Sequence, residues 1–290
     1  MIEIHSPTYF ACCGIGGILA CGTTHFAMTP VDMLKCRMQI DSTVYRGILD
    51  GLRKVGGAQG LRGLYLGGLP TLLGYSMQGM GKYGFYEYFK YRYAQAMPTG
   101  NQTVLYLAAS ATAESLADIM LCPMEAYKVR VQTAGTPFAS GFRDGLGRIY
   151  RTEGMRGFYK GLVPLWMRQI PYTMVKFASF ENIVAGIYGR VLRRRKAQVS
   201  KGKQLGVTFA AGYMAGVLCA VVSHPADTVV SKLNNSEGAG VAQIVRRLGA
   251  RGVWAGLGPR IFMIGALTST QWLIYDAFKV RVGLPTTGAE

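Results

Sequence analysis

The sequence predicts an all-α membrane protein: six transmembrane helices in three tandem repeats with threefold pseudosymmetry, plus three short amphipathic helices on one side of the membrane. Three observations carry this expectation. Long apolar windows are almost free of charge. A proline phrase with ordered charges occurs three times. Two further phrases accompany it, each time in the same order.

Half of the 290 residues are hydrophobic and only 16% are charged, against about a quarter in ordinary soluble domains. "YFACCGIGGILACGTTHFAM" (9–28) holds one histidine and no full charge, and "LGVTFAAGYMAGVLCAVV" (205–222) holds neither. About 20 residues rising 1.5 Å each cross the hydrocarbon of a bilayer, and the glycines within these windows suit close helix packing in lipid. The net charge of +17 does not point to nucleic acid, because the basic residues flank apolar spans or lie inside them instead of covering a soluble face. An anionic lipid headgroup or a small anionic solute is the expected partner. The six cysteines show no CxxC pairing, so they are read as small packing residues, with neither a disulfide framework nor a metal site expected. "MIEIHSP" lacks the apolar core of a cleavable signal, so targeting is expected to be internal.

The proline phrase reads "TPVDMLKCR", "CPMEAYKVR" and "HPADTVVSK", with Pro30, Pro123 and Pro225 separated by 93 and 102 residues. A glycine-rich phrase follows each proline: "QGLRGLYLGGLP", "EGMRGFYKGLVP" and "GARGVWAGLGP". A third phrase closes each unit: "YEYFK", "FENIV" and "YDAFK". Such order marks a tandem triplication, with repeats over 1–97, 98–195 and 196–290. Long helices are expected near 8–38, 70–92, 104–133, 164–188, 205–233 and 260–281. Polar helices lying in the interface are expected near 47–58, 142–152 and 240–248. One unit alone would expose its polar residues to lipid, whereas three around an axis enclose them.

Counting by four, Gly74, Gln78, Lys82 and Tyr86 share one face of the second long helix, and Arg168, Tyr172, Lys176 and Phe180 share the matching face of the fourth. The third unit offers Thr268 and Gln271. Charged groups at these depths cost about 2.5–3.5 kcal/mol each by insertion scales, which points them toward a cavity. Arginine, two lysines and amide donors fit a compact oxyanion, and no aromatic slot suited to a nucleobase is evident. Three histidines (5, 25 and 224) on separate segments offer no catalytic constellation, so neither an enzyme nor a cofactor is expected.

The recurrent Px[DE]xx[KR]x[KR] phrase, with the glycine-rich phrase and [FY][DE]xx[KR], resembles the signature of the mitochondrial carrier family over nearly the whole chain. "HFAMTPVDMLKCRMQ", "GYSMQGMGKYGFYE", "RQIPYTMVKFASFE" and "SHPADTVVSKLN" are most similar to members that move inorganic phosphate; a dicarboxylate or copper carrier is the alternative. The resemblance implies a multi-pass protein of the mitochondrial inner membrane, with both termini toward the intermembrane space. It also implies alternating access and matrix-side amphipathic helices. Loop charge does not decide orientation, since "RRRKAQVSKGK" (193–203) is as basic as the segments opposite it. A closed threefold unit in one chain suggests a monomer, with anionic lipid such as cardiolipin as a membrane partner.

Under this resemblance the matrix gate comprises Asp32, Lys35, Glu125, Lys128, Asp227 and Lys232. Gln39 and Gln132, nine residues past their prolines, are expected to brace it. Val230 stands where a third basic residue belongs, so one bridge is expected to be missing. The cytoplasmic gate comprises Glu87, Lys90, Glu181, Asp276 and Lys279, with Glu181 lacking a local partner because Val184 occupies that position. The substrate site comprises Gln78, Lys82, Arg168, Gln169, Lys176 and Gln271, with Arg168-Gln169 resembling the contact point that the family uses for small anions. His25, five residues before Pro30, matches Asp118 before Pro123, with Glu114 one turn earlier. Histidine titrates near neutral pH, so these three are expected to carry a proton with the phosphate. Glu114 also fills the small-residue slot held by Gly216 in Gly212xxxGly216.

Overall fold

The computed structural model describes residues 2–40, 44–133, 138–193, 196–234, 241–254 and 256–288. In the first repeat, α1 (Pro7–Gly17) passes through a π-helical stretch (Ile18–Gly22) into α2 (Thr23–Ile40), followed by α3 (Ile48–Leu64) and α4 (Gly68–Ala96). The second holds α5 (Gln102–Thr133), α6 (Phe142–Glu153), the short α7 (Arg156–Tyr159) and α8 (Leu162–Gly186), which continues as a π-helical turn (Ile187–Leu192). A 3-10 turn (Lys196–Gln198) leads to α9 (Lys201–Asn234), α10 (Val241–Val253) and α11 (Leu257–Arg281). All regular structure among the described residues is helical.

Local chemistry explains these elements. Ser6 caps α1 by accepting the Tyr9 N–H at 3.2 Å, and Pro7 occupies the first turn, where a missing donor is harmless. The helices α2, α5 and α9 run unbroken through Pro30, Pro123 and Pro225, and α8 contains a further proline, Pro171. The amphipathic helices start alike: Asp50 accepts the Arg46 N–H and Asp144 accepts the Ser140 N–H. Asp50 is held below the usual carboxylate range chiefly by Lys54, and Asp144 chiefly by the Ser140 amide. Each amphipathic helix turns at the same glycine of the repeated phrase. Gly60, Gly154 and Gly249 have φ of 61°, 63° and 60°, with ψ of −159°, −157° and 179°. That conformation is open essentially to glycine alone, which accounts for a glycine at this point in every unit.

The six long helices form a closed ring, in which α4 packs on α1 and α2, α5 on α4, α8 on α5, α9 on α8, α11 on α9, and α11 returns to α1. Small residues set the close approaches. A Cβ at Gly216 would lie 2.8 Å from the Gly265 Cα, and one at Gly212 would lie 2.9 Å from the Ser269 Cα.

Burial is inverted relative to a water-soluble protein. Gln78, Lys82, Lys176, Gln271, Glu114 and Asp118 are buried, while Leu69, Leu73, Met77, Met80 and Phe262 are exposed. Large apolar side chains outside and paired polar ones inside suit a hydrocarbon surround. Among the described residues, three helical segments are long and apolar enough to cross a membrane by length and composition, within Pro7–Met38, Gln102–Gln132 and Lys201–Pro225. Their partners α4, α8 and α11 carry the polar inward faces that dilute their apolar character.

Candidate functional site

At mid-height, side chains from five helices converge. The Gln78 amide of α4 donates to two carboxylates of α5, 2.8 Å to Glu114 Oε1 and 3.0 Å to Asp118 Oδ1. Lys82, one turn along α4, lies 3.1 Å from Glu114 Oε2. Across the ring, the Lys176 ammonium of α8 donates to Gln271 Oε1 of α11, and the Gln271 amide donates to Thr24 Oγ1 of α2 at 3.2 Å. Burying such groups is tolerable only because they are paired and hydrogen-bonded. Arg168 makes no side-chain hydrogen bond or ion pair among the described residues, and it remains exposed to a cavity of about 850 Å³ between α5, α8 and α9. Gln169 is half-buried, with no side-chain hydrogen bond among the described residues.

His25 makes no hydrogen bond to Glu114 or Asp118 among the described residues. Its ring stacks on Tyr75 at 3.7 Å and 12°, while Glu114 and Asp118 are bound to Gln78 and Lys82. Glu114, in the small-residue slot, is aimed at α4, where the Gln78 amide donates to Oε1 and the Lys82 ammonium lies beside Oε2.

At the end of the ring that carries Glu87, the cross-repeat link is Lys90, 3.0 Å from Glu181 and 3.1 Å from Glu87. The valine in the second unit therefore leaves Glu181 no local cation, and the lysine of the first unit supplies one. Tyr9 donates to Glu87 at 3.1 Å and Tyr86 to Glu181 at 3.2 Å. Asp276 and Lys279 do not pair with each other among the described residues. Asp276 accepts from Thr208 at 2.6 Å and from the Thr287 N–H and O–H at 2.9 and 2.7 Å. The Lys279 ammonium donates to Thr287 Oγ1 at 3.3 Å and lies over the Tyr9 and Tyr275 rings. The polypeptide after α11 has thus taken the place of the expected ion pair.

Next to this network lies an aromatic layer, in which Tyr86, Phe180 and Tyr275 of the closing phrases are joined by Tyr83, Phe177 and Trp272, residues that no repeated phrase includes. Tyr83, Phe177 and Trp272 stand four residues before Glu87, Glu181 and Asp276, and Tyr86, Phe180 and Tyr275 stand immediately before them. All six are at most 1% exposed, and Phe180 stacks on Trp272 at 3.7 Å. Recurrence at a fixed offset from the acidic residue was the available signal.

The opposite end, which carries the three motif prolines, is more loosely tied. Lys128 lies 3.6 Å from Glu125 and 3.9 Å from Asp32, with its ammonium 5.2 Å from the Tyr75 ring centroid. Lys35 was expected to meet a carboxylate and instead donates to Met263 Sδ at 2.9 Å. Asp227 pairs with Arg260 of α11, a residue not anticipated, which compensates for Val230. The Gln132 amide donates to the Leu66 carbonyl at 3.1 Å, bracing the turn before α4 and not the Glu125–Lys128 pair. The side chains of Gln39 and Lys232 lie outside the described residues.

A family model, "Mitochondrial carrier protein", matches this chain over residues 6–96, 100–190 and 201–284. The chain belongs to the mitochondrial carrier family. Among curated relatives, a "Probable mitochondrial phosphate carrier protein" of Schizosaccharomyces pombe is 53% identical, the alignment covering 99% of this carrier and 96% of the relative. "Mitochondrial phosphate carrier protein 2, mitochondrial" of Arabidopsis thaliana is 56% identical over 99% of this carrier and 80% of the relative. The human "Solute carrier family 25 member 3" is 53% identical, covering 97% and 78%.

Proposed function

We propose that this carrier moves inorganic phosphate across the mitochondrial inner membrane with a proton, equivalently against hydroxide, by alternating access between two ion-pair gates. The supporting observation is the set Lys82, Lys176 and Arg168, which lies between a paired network at the Glu87 end and a looser one at the Pro30 end. The names of the Schizosaccharomyces pombe and Arabidopsis thaliana relatives favour phosphate over a dicarboxylate or copper.

The chemistry follows from this set. Phosphate offers several acceptor oxygens, and charge-assisted bonds to lysine and arginine are the strong ones. Arg168 has no competing protein partner and makes the first contact from the cavity. Lys176 then exchanges the Gln271 oxygen for a phosphate oxygen, and Gln78, Gln271 and Gln169 serve as adjustable amide partners. Glu114 and Asp118 beside Lys82 hold the co-transported proton, so that the charge entering with phosphate is partly offset. His25, on Tyr75, stands between this level and Lys128 and passes the proton toward the Pro30 end.

The gates alternate because exposed and partly exposed ion pairs are worth only about 0–1 kcal/mol each, and new substrate contacts can replace them. In this reading the Lys90 network, lying over the aromatic layer, is the closed form of the gate at the Glu87 end. By family precedent that end faces the intermembrane space with both termini, and the Pro30 end faces the matrix. The three repeat units, 1–97, 98–195 and 196–290, act within one monomer, with anionic lipid at the membrane-facing surface.

Labelled phosphate uptake into liposomes tests the reading. Uptake driven by a pH gradient, with the trans side alkaline, and resisted by neither malate nor copper is expected. No phosphate uptake under any gradient, or full competition by malate, would refute it.

A further inference from the structure

The first two acidic residues of the Glu87 end share Lys90, but Asp276 has no cation within ion-pair distance among the described residues. It is held instead by the segment after α11. That segment turns at Gly283 (φ +80°), buries Leu284 in the core and carries Thr286 and Thr287 back over the mouth of the ring, each 3% exposed. Thr287 Oγ donates to Asp276 while accepting from Lys279. The buried Lys196 ammonium, on the connection between the second and third repeats, donates to the carbonyls of Thr286, Thr287 and Gly288, the last at 3.0 Å. Gln204 of α9 accepts from Thr286 Oγ at 3.1 Å, and Gly288 abuts Val184 of α8.

From these contacts we propose that residues 283–288 form the third latch of the gate, with Thr287 the positioning residue that holds Asp276 and Lys279 in the closed arrangement. The segment is bonded at once to α11, α9 and the connection after α8. Moving α11 away from α8 and α9 to open this end breaks those bonds, and no ion pair at the third corner replaces them. The latch rests on the alternating-access reading, but it requires no particular substrate.

Native Cys13 gives a readout. It is 0% exposed and belongs to the same buried cluster as Tyr9, Tyr86, Tyr275 and Leu284, just inside the network. In full-length carrier in liposomes, with Cys12→Ser and Cys21→Ala to leave Cys13 the one thiol between Met1 and Lys35, a water-soluble maleimide should label Cys13 only when this end opens. Thr287→Val keeps the shape and removes the hydroxyl with both of its hydrogen bonds, so it should raise the labelling rate fivefold or more, about fivefold being the factor for each net hydrogen bond lost. Thr287→Ser should return the rate to that of the parent. Lys196→Met reads the latch from its other side and should also raise the rate, which decides the matter if Thr287→Val does not fold. Cys122, near the opposite end, should be labelled at the parent rate throughout. An unchanged Cys13 rate in the folded variants would overturn the latch, as would an equal rise at Cys122 or no recovery in Thr287→Ser. Because labelling needs no phosphate, failure of the latch is distinguishable from failure of the phosphate assignment, which only uptake reads.

Discussion

Lys82 of α4 and Glu114 of α5 face each other at 3.1 Å with side-chain exposures of 6% and 0%. Each is the nearest counter-charge of the other in the middle of the ring, and Gln78 ties Glu114 to Asp118 beside them. A buried pair of this kind is costly to break from one side, by about 3–5 kcal/mol, because the surviving charge is left uncompensated. The cost makes a purely structural role for Glu114 and a proton-carrying role experimentally separable.

Glu114→Gln is expected to abolish phosphate uptake driven by a pH gradient while retaining part of phosphate/phosphate exchange at equal pH. Exchange returns the same proton with the same anion, and Arg168 and Lys176 are untouched. Paired initial-rate measurements in liposomes check this. Gradient-driven uptake at the parent rate would assign Glu114 to packing alone.

Arg168→Ala and Lys176→Ala should each lower phosphate uptake by tenfold or more. Charge-assisted contacts are worth about 1.5–3 kcal/mol, and about 1.4 kcal/mol is a factor of ten. Thermal unfolding followed by the native thiols should show folded protein in both. Near-normal uptake in both variants would remove them from the substrate site.

At the Pro30 end, Asp227→Asn and Arg260→Gln should slow turnover to the same extent, and the double variant should be no slower than either one. That non-additivity is the mark of a direct pair. Lys35→Gln should cost less than Asp32→Asn, because Lys35 meets Met263 and Asp32 meets Lys128. Full additivity of the first two variants would mean that Asp227 and Arg260 act separately.

Gly154→Ala should destabilise the folded carrier by about 1–3 kcal/mol, since its φ of 63° and ψ of −157° are closed to a residue with a Cβ. Gly147→Ala, in the helix that Gly154 caps, with open space around its Cβ position, should be neutral or stabilising. A thermal-shift comparison in detergent reads both, and an equal response would discount the backbone argument.

The chain's own order of residues was enough to reveal three repeats, their apolar helices and the inward faces of the even ones. Threefold recurrence averages out local noise: one proline followed by an acid is unremarkable, whereas three in register with Gly60, Gly154 and Gly249 define a unit. Periodicity likewise placed Gln78 with Lys82 and Arg168 with Lys176, because spacing by four is a property of the helix itself. What periodicity cannot convey is which inward-facing group meets which across the ring. That depends on the depth and rotation of each helix, set by close approaches such as Gly216 against Gly265. So Asp227 found Arg260, Lys35 found Met263 and His25 found Tyr75, each partner set by reach and geometry. The third corner of the Glu87 end is the clearest case. Asp276 and Lys279 stand three residues apart and read as a local pair, but Thr287 lies between them in space. It could do so only after α11 had packed on α9 and turned the following segment back over the mouth, a contact that tertiary packing created and no spacing in the sequence encodes.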